Sequence, residues 1–268
     1  MDHASRAAGA PVGGPPLSFA VSADAYDRFM GKYSARLAPQ LADFAGVLPE
    51  HRVIDVGCGP GALTSELVDR VGATNVFAVD PSEPFVSAVR ERFPGVDVRL
   101  AAAEELPFPD NAFDAALAQL VVHFMSDPVA SLREMARVVR KDGVVAACVW
   151  DHAGEHGPLS IFWKAARELD PSVGDESRRA GARAGHLAEL FVNAGLRSVE
   201  TTVLVATVTH ASFEDWWMPF TLGVGPAGAY VVGLDVKRRA ELMERCRELL
   251  PPAPFDVAAR AWTARGLA

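Results

Sequence analysis

The chain is expected to fold as a doubly wound α/β domain, a mostly parallel seven-stranded sheet with helices on both faces. Short β-branched or apolar runs recur along it, separated by helical stretches of about ten residues, the spacing of βαβ units. The first run, residues 53–56, empties into a Gly-rich turn at 57–61. A later one, 144–150, is apolar almost throughout, as a strand covered on both faces must be.

Taken in order, residues 1–17 are rich in Gly, Pro and Ala without periodicity and read as a disordered leader. Residues 18–48 read as an N-terminal helical lid, two short helices interrupted near Gly31. Residues 49–268 read as the main domain. After the turn, Leu63, Leu67 and Val71 recur at spacing four and mark one face of a helix. A second strand is expected over 75–80, a helix marked by Phe85, Val89 and Phe93, and a third strand over 96–101. A turn at 107–111 precedes a fourth strand, 113–120. Asp127 caps the next helix, with Pro128 at its first position and Val129, Leu132, Met135, Ala136 and Val139 as its buried stripe. Asp142 and Gly143 end that stripe before the fifth strand at 144–150. A helix at 186–194, stopped by Gly195, leads to a sixth strand at 199–208, and the sheet closes with 255–263. Between these last strands lies an insertion, 209–252, carrying a charged helix at 235–250.

Composition bounds the function. Half of the 268 residues are hydrophobic and 22% are charged, enough for a sizeable core. Lys and Arg number 26 against 34 Asp and Glu, a net charge of −8, which leaves no evident basic face for a nucleic acid. Cys58, Cys148 and Cys246 are scattered and lack a C-x-x-C spacing, which suits reduced thiols in a cytoplasm. No apolar run approaches the ~20 residues that cross a bilayer, and the N-terminus carries no apolar signal core. A cytoplasmic protein with no membrane partner is expected; the oligomeric state is left open.

The chemistry concentrates at the strand ends. Gly57 and Gly59 let the backbone turn sharply and present main-chain N–H groups to a ligand. The positive end of the following helix favours a carboxylate or phosphate there. Asp80 closes the second strand, where a carboxylate can accept from both hydroxyls of a ribose. The third strand ends in residues 101–104 and the fourth in 118–120, so four strand ends converge on one cleft. Gly57, Gly59 and Ala62, with an acidic residue further on, also satisfy the G-x-G-x-x-G/A dinucleotide fingerprint. An NAD(P)-dependent oxidoreductase is therefore an alternative. Against it, Pro60 and Gly61 crowd the point where a pyrophosphate would meet the helix. Asp55 also puts a negative charge near the turn, awkward for a pyrophosphate but useful near an ammonium or sulfonium.

The blocks V-I-D-V-G-C-G-P-G, V-D-P-S, A-E-E-L-P-F-P-D-N-A-F-D and V-V-H-F-M-S-D-P, followed by L-R-E-M-A-R-V-V-R-K-D-G, resemble the class I S-adenosylmethionine-dependent methyltransferases. The branch they are most similar to contains the ubiquinone/menaquinone-biosynthesis C-methyltransferases. The resemblance covers residues 26–150 well and the remainder loosely. It implies a Rossmann-like fold, S-adenosylmethionine as cofactor and a small-molecule methyl acceptor. It places Gly57, Cys58 and Gly59 along the methionyl part, with Asp55 nearby, and Asp80 on the ribose, followed by Pro81. Ala103 and Glu104 would flank the adenine, Gln119 and Leu120 would lie beside the methionine moiety, and Tyr26, with Lys32, would close over the cofactor. Many relatives carry Asp where this chain has Ala102, which moves the adenine-amine contact toward Glu104 or weakens it. That departure keeps a non-catalytic S-adenosylmethionine-binding domain as a further alternative. No N/D-P-P-Y/F block follows the fourth strand, so carbon or oxygen acceptors are favoured over amino nitrogens.

Several residues carry a functional and a plainer reading side by side. His123 is the best candidate for a base that takes the acceptor's proton, although a packing role is the commoner one for such a position. His152 and His156 mimic a helical metal pair, but Gly154, Gly157 and Pro158 deny them a helix, and no metal is expected. The aromatic run Phe213, Trp216, Trp217, Met218 and Phe220 could roof an apolar substrate or simply pack the insertion. Cys58 reads as a small packing residue.

Overall fold

A computed structural model describes residues 22–268. The expected leader, 1–17, and the first residues of the expected lid lie outside them. The strands are β1 (Val53–Val56), β2 (Val76–Asp80), β3 (Asp97–Leu100), β4 (Phe113–Gln119), β5 (Val139–Trp150), β6 (Arg197–His210) and β7 (Phe255–Leu267). They form one seven-stranded sheet in the order β3-β2-β1-β4-β5-β7-β6. The ladders from β3 to β5 are parallel, and β7 runs antiparallel to both β5 and β6. The order reverses between β1 and β4, which opens a crevice at the carboxyl ends of those strands.

The helices are α1 (Ala23–Tyr26), α2 (Lys32–Ala45), α3 (Ala62–Val71), α4 (Glu83–Arg92), α5 (Pro128–Val138), α6 (Ser160–Leu169), α7 (His186–Asn193), α8 (Phe213–Trp217), α9 (Gly225–Gly233) and α10 (Val236–Leu249). The two-residue period of the strands divides the core. Val53, Leu117, Ala146 and Cys148 face Leu37 and Leu41 of α2, Leu67 of α3 and Val89 of α4. Their neighbours Ile54, Ala116, Ala118, Val145 and Val149 face Leu132 and Met135 of α5 and Leu190 and Phe191 of α7. Each fully buried Leu contributes about 1.5–3 kcal/mol, so both faces are held by amphipathic helices rather than by isolated contacts.

The third core differs in kind. Helices α6 and α8–α10 and the 3-10 turn Met218–Leu222 gather Phe162, Trp163, Phe213, Trp216, Trp217, Phe220, Val231 and Leu242 around Phe29 and Met30 from the N-terminal segment. Phe162 stacks on Phe220 at 4.6 Å, and Phe29 meets the same ring edge-on at 5.4 Å.

Several expectations are corrected. The N-terminal helices are not interrupted at Gly31: α1 passes through a π-helical stretch, Asp27–Gly31, into α2. A π turn inserts an extra residue without ending the helix, and here it carries Phe29 and Met30 into the third core. Helix α5 ends at Val138, and Val139 already pairs with Phe113. Residues 140–143 form a bulge, because Ala115 next pairs with Val144, and Asp142 takes φ +62°. Asp142 and Gly143 therefore shape a strand rather than stop a helix. Strands β6 and β7 run further than expected because they pair with each other along nearly their whole length. Helix α6 had no expectation at all. Among the described residues no helix is long and apolar enough to cross a membrane.

Candidate active site

The cleft starts at the turn after β1. Gly57 and Cys58 both donate their backbone N–H to the carbonyl of Val79, at 2.8 and 3.0 Å, which folds the turn down onto β2. Gly57 has φ +73°, and a Cβ there would lie 2.5 Å from Val121 Cγ2, so only glycine fits. Gly59, at φ +52°, would direct a Cβ into open space instead. Both glycines line the cleft.

Asp80 organises the opposite wall. Its Oδ2 accepts from the Gly59 N–H at 2.9 Å and its Oδ1 from the Ser82 N–H at 2.8 Å. Each carboxylate oxygen keeps a further lone pair for a ligand hydroxyl. Burial raises the Asp80 carboxyl above its ordinary range, against the lowering effect of those two N–H groups. Tyr26, Gly57, Gly59, Asp80, Pro81, Ala103, Glu104, Gln119 and Leu120 together line one cavity of about 220 Å³.

Asp55 and Cys58 lie beneath this cavity rather than in its wall. Asp55 is buried; its Oδ2 accepts from the Thr64 hydroxyl at 2.7 Å, while its Oδ1 has no partner. Burial pushes its carboxyl up to about 7, with the Thr64 hydrogen bond opposing and the Asp80 charge reinforcing. Burial likewise holds the Cys58 thiol well above its ordinary value, in keeping with a packing role.

Glu104 is partly committed, since its Oε1 accepts from the backbone N–H groups of Ser126 and Asp127. It ties the segment after β4 across the cavity mouth. Gln119 donates to the Ser34 carbonyl at 3.1 Å, and its Oε1 is buried without a partner. Leu120 takes φ +60°, strained for a branched residue. Sequence reasoning missed Val121, Met125 and Ser126 in this wall and assigned Phe85 only to a helix stripe. The V-V-H-F-M-S-D-P block was their one available signal.

A second cavity, about 30 Å³, adjoins the first; Tyr26, Leu120 and Phe124 line both. Its other walls are Phe29, Met30, Trp150, Leu159, Val224 and Pro226, with His123, His152 and Glu176 as its polar groups. His123 thus faces the second cavity and not the first. Its Nδ1 is buried without a partner, and burial holds the imidazole well below its ordinary pKa, helped by His152 and Arg179. His152 is lowered for the same first reason. His156 points elsewhere and pairs with Asp151 at 3.0 Å, so the 152/156 pair does not assemble. The aromatic run 213–220 does not roof this cavity. Phe213, Trp216, Trp217 and Phe220 pack the third core, and Met218 is exposed. Lys32 does not reach the first cavity either: its Nζ bonds Asp215 at 2.9 Å and pins the N-terminal segment to α8.

Comparison with known proteins follows the same lines. A methyltransferase-domain family model matches residues 54–147. A ubiquinone/menaquinone biosynthesis C-methyltransferase from Cupriavidus taiwanensis is 37% identical over 181 residues, covering 61% of this chain and 74% of the relative. An uncharacterized methyltransferase of Mycobacterium bovis is 29% identical, covering 89% of this chain and 87% of its own. Among solved structures, a SAM-dependent methyltransferase from Thermotoga maritima superposes with a TM-score of 0.54 at 19% identity, covering 91% and 94% of the two chains. The nicotinamide reading finds no support among these matches. With a Gly57–Gly59 turn under Asp80 at the switch point and these relatives beside it, the chain belongs to the class I S-adenosylmethionine-dependent methyltransferases.

Proposed function

We propose that this enzyme transfers the methyl group of S-adenosylmethionine to carbon or oxygen of a small, largely apolar acceptor held in the second cavity. The observation that carries this reading is the wall of Tyr26, Leu120 and Phe124 common to both cavities. A methyl donor in the larger one would face an acceptor in the smaller one across that wall.

The residues of the first cavity fit an adenosyl-sulfonium ligand. Asp80, fixed by two backbone N–H groups, would take the ribose hydroxyls. The main chain of Gly57, Cys58 and Gly59 would follow the methionyl part, and the orphaned Gln119 Oε1 is an acceptor suited to its cationic end. Ala103 and Glu104 would flank the adenine, with Pro81 and Leu120 as apolar walls. When bound, the cofactor supplies an electrophilic methyl on sulfur. The protein's share is alignment and exclusion of water. Where the acceptor must lose a proton, His123 would take it, its depressed pKa keeping the imidazole neutral near pH 7.

The second cavity, at about 30 Å³, falls well short of the ~300 Å³ at which ligand pockets usually begin. An acceptor therefore enters by displacing the segment that carries Tyr26, Phe29 and Met30. On this reading residues 18–48 act as the lid, residues 49–268 as the catalytic unit, and the enzyme works in the cytoplasm.

Calorimetry with S-adenosylhomocysteine and with NADH tests the cofactor. Radiolabelled methyl transfer to a panel of phenols, quinols and enolisable ketones tests the acceptor class. Binding of the former nucleotide alone, with label moving to an apolar acceptor, is expected. No S-adenosylhomocysteine binding would overturn the cofactor assignment, and label appearing only on nucleic acid or protein would overturn the small-molecule one.

A further inference from the structure

We propose that His123, His152 and Glu176 form a site for one divalent transition-metal ion, of the zinc, cobalt or iron type, in the wall of the second cavity. Nothing in the sequence announces it, and it departs from the expectation of no metal. The three residues come from three segments, after β4, after β5 and between α6 and α7, and only the fold brings them together.

One ligand atom from each residue lies within 4.8 Å of the other two. Two of the groups are orphaned: His123 Nδ1 and His152 Nε2 are buried with no hydrogen-bond partner. A buried polar atom left unmatched is costly, and two imidazole nitrogens beside one carboxylate ask for a shared occupant. Glu176 is itself positioned, its Oε2 accepting from Trp163 Nε1 at 3.2 Å in a buried setting. Arg179, the nearby cation, lies 3.9 Å from Glu176 Oε1 and donates to the His123 carbonyl at 3.3 Å, too loosely to satisfy the carboxylate.

Two imidazoles and one carboxylate suit zinc and its neighbours, whereas magnesium and calcium prefer all-oxygen sets. Metal–ligand bonds of about 2.0–2.2 Å bring donors to roughly 3–3.5 Å apart, so donors now within 4.8 Å of one another close in by up to about 1–2 Å on binding. Three protein ligands leave positions open, as in catalytic sites, and these would face the cavity lined by Phe29, Trp150 and Val224. The consequence for the acceptor rests on the function proposed above: it would carry an oxygen able to bind the ion. A hydroxyl so bound ionises more readily; with its Nδ1 on the ion, His123 would act there as a ligand, and the ion would take over the task of lowering the acceptor's pKa.

The test uses the full chain, stripped of metal by a chelator and titrated with Co²⁺ alone. The readouts are visible absorption and, in parallel, calorimetry with S-adenosylhomocysteine. One equivalent of Co²⁺ is expected to bind with the d–d spectrum of a low-coordinate nitrogen–oxygen site. His152→Ala and Glu176→Gln are each expected to weaken it by ~10-fold or more. Glu176→Gln keeps an acceptor for Trp163, and retained S-adenosylhomocysteine binding certifies that both variants fold. Absence of Co²⁺ binding at ~100 μM, well above the range of such sites, would overturn the proposal. So would binding that survives both substitutions. Loss of S-adenosylhomocysteine binding with Co²⁺ binding intact would instead sink the methyl-transfer reading and leave the metal site standing.

Discussion

The two cavities are built by opposite means. The larger is anchored on backbone: glycines with positive φ, N–H groups aimed at Asp80, and strand ends that a parallel sheet brings together. The smaller is made of side chains from the N-terminal segment, the loops after β4 and β5, the stretch before α7 and the start of α9. A wall of main chain admits few substitutions, because moving it moves the sheet. A wall of side chains from separate segments can change residue by residue. Under the function proposed above, this division would let one fold keep its cofactor while its acceptors vary.

Substitutions can break that contrast or sharpen it. The largest effect is expected for Gly57→Ala. The left-handed backbone costs about 1–2 kcal/mol for a residue with a Cβ, and the collision with Val121 about 1–3 more. S-adenosylhomocysteine affinity should fall by more than ~100-fold, with a matching drop in thermal stability, both read on the same sample.

On the other side of the wall, His123→Gln should lower the rate of methyl transfer by ~10²-fold or more. It should leave S-adenosylhomocysteine affinity within about 2-fold. Equal losses in both would show that the cavities are not separable. Asp80→Asn exchanges one charged acceptor oxygen for an NH2 group that can only donate, leaving Gly59 N–H or Ser82 N–H unmet. Cofactor affinity should fall about 10- to 100-fold by calorimetry.

Asp55 offers a pH test. Its folded pKa, about 7, lies above the unfolded value, so the folded state holds a proton that the unfolded chain has released. That contribution to stability is fully present below the unfolded pKa and is lost as pH rises through about 7. Its slope reaches at most ~1.4 kcal/mol per pH unit. Urea unfolding between pH 5 and 8 should show stability falling with pH, and Asp55→Asn should flatten the fall. The raised Asp80 acts in the same direction and leaves a residual slope. The smallest effect belongs to Lys32→Ala, which removes a half-exposed ion pair with Asp215. It should cost under ~1 kcal/mol in stability and change cofactor affinity less than about 3-fold, because the bridge ties the N-terminal segment to α8 and does not line the first cavity.

The sequence on its own determined the sheet and its first cavity. A strand buried on both faces is mostly apolar, as the 144–150 part of β5 is, a turn at φ +73° with a neighbour 2.5 Å from any Cβ has to be glycine, and the carboxylate closing β2 bonds that turn. These constraints are local, so they are written in runs of a few residues. Only the tertiary structure decided that Gly31 lies in a π turn rather than a break, that Asp142 and Gly143 bulge a strand, and that His123 meets His152 and Glu176. Those outcomes depend on which distant segments pack together, and packing between segments far apart in the chain leaves no period or spacing for a sequence to display.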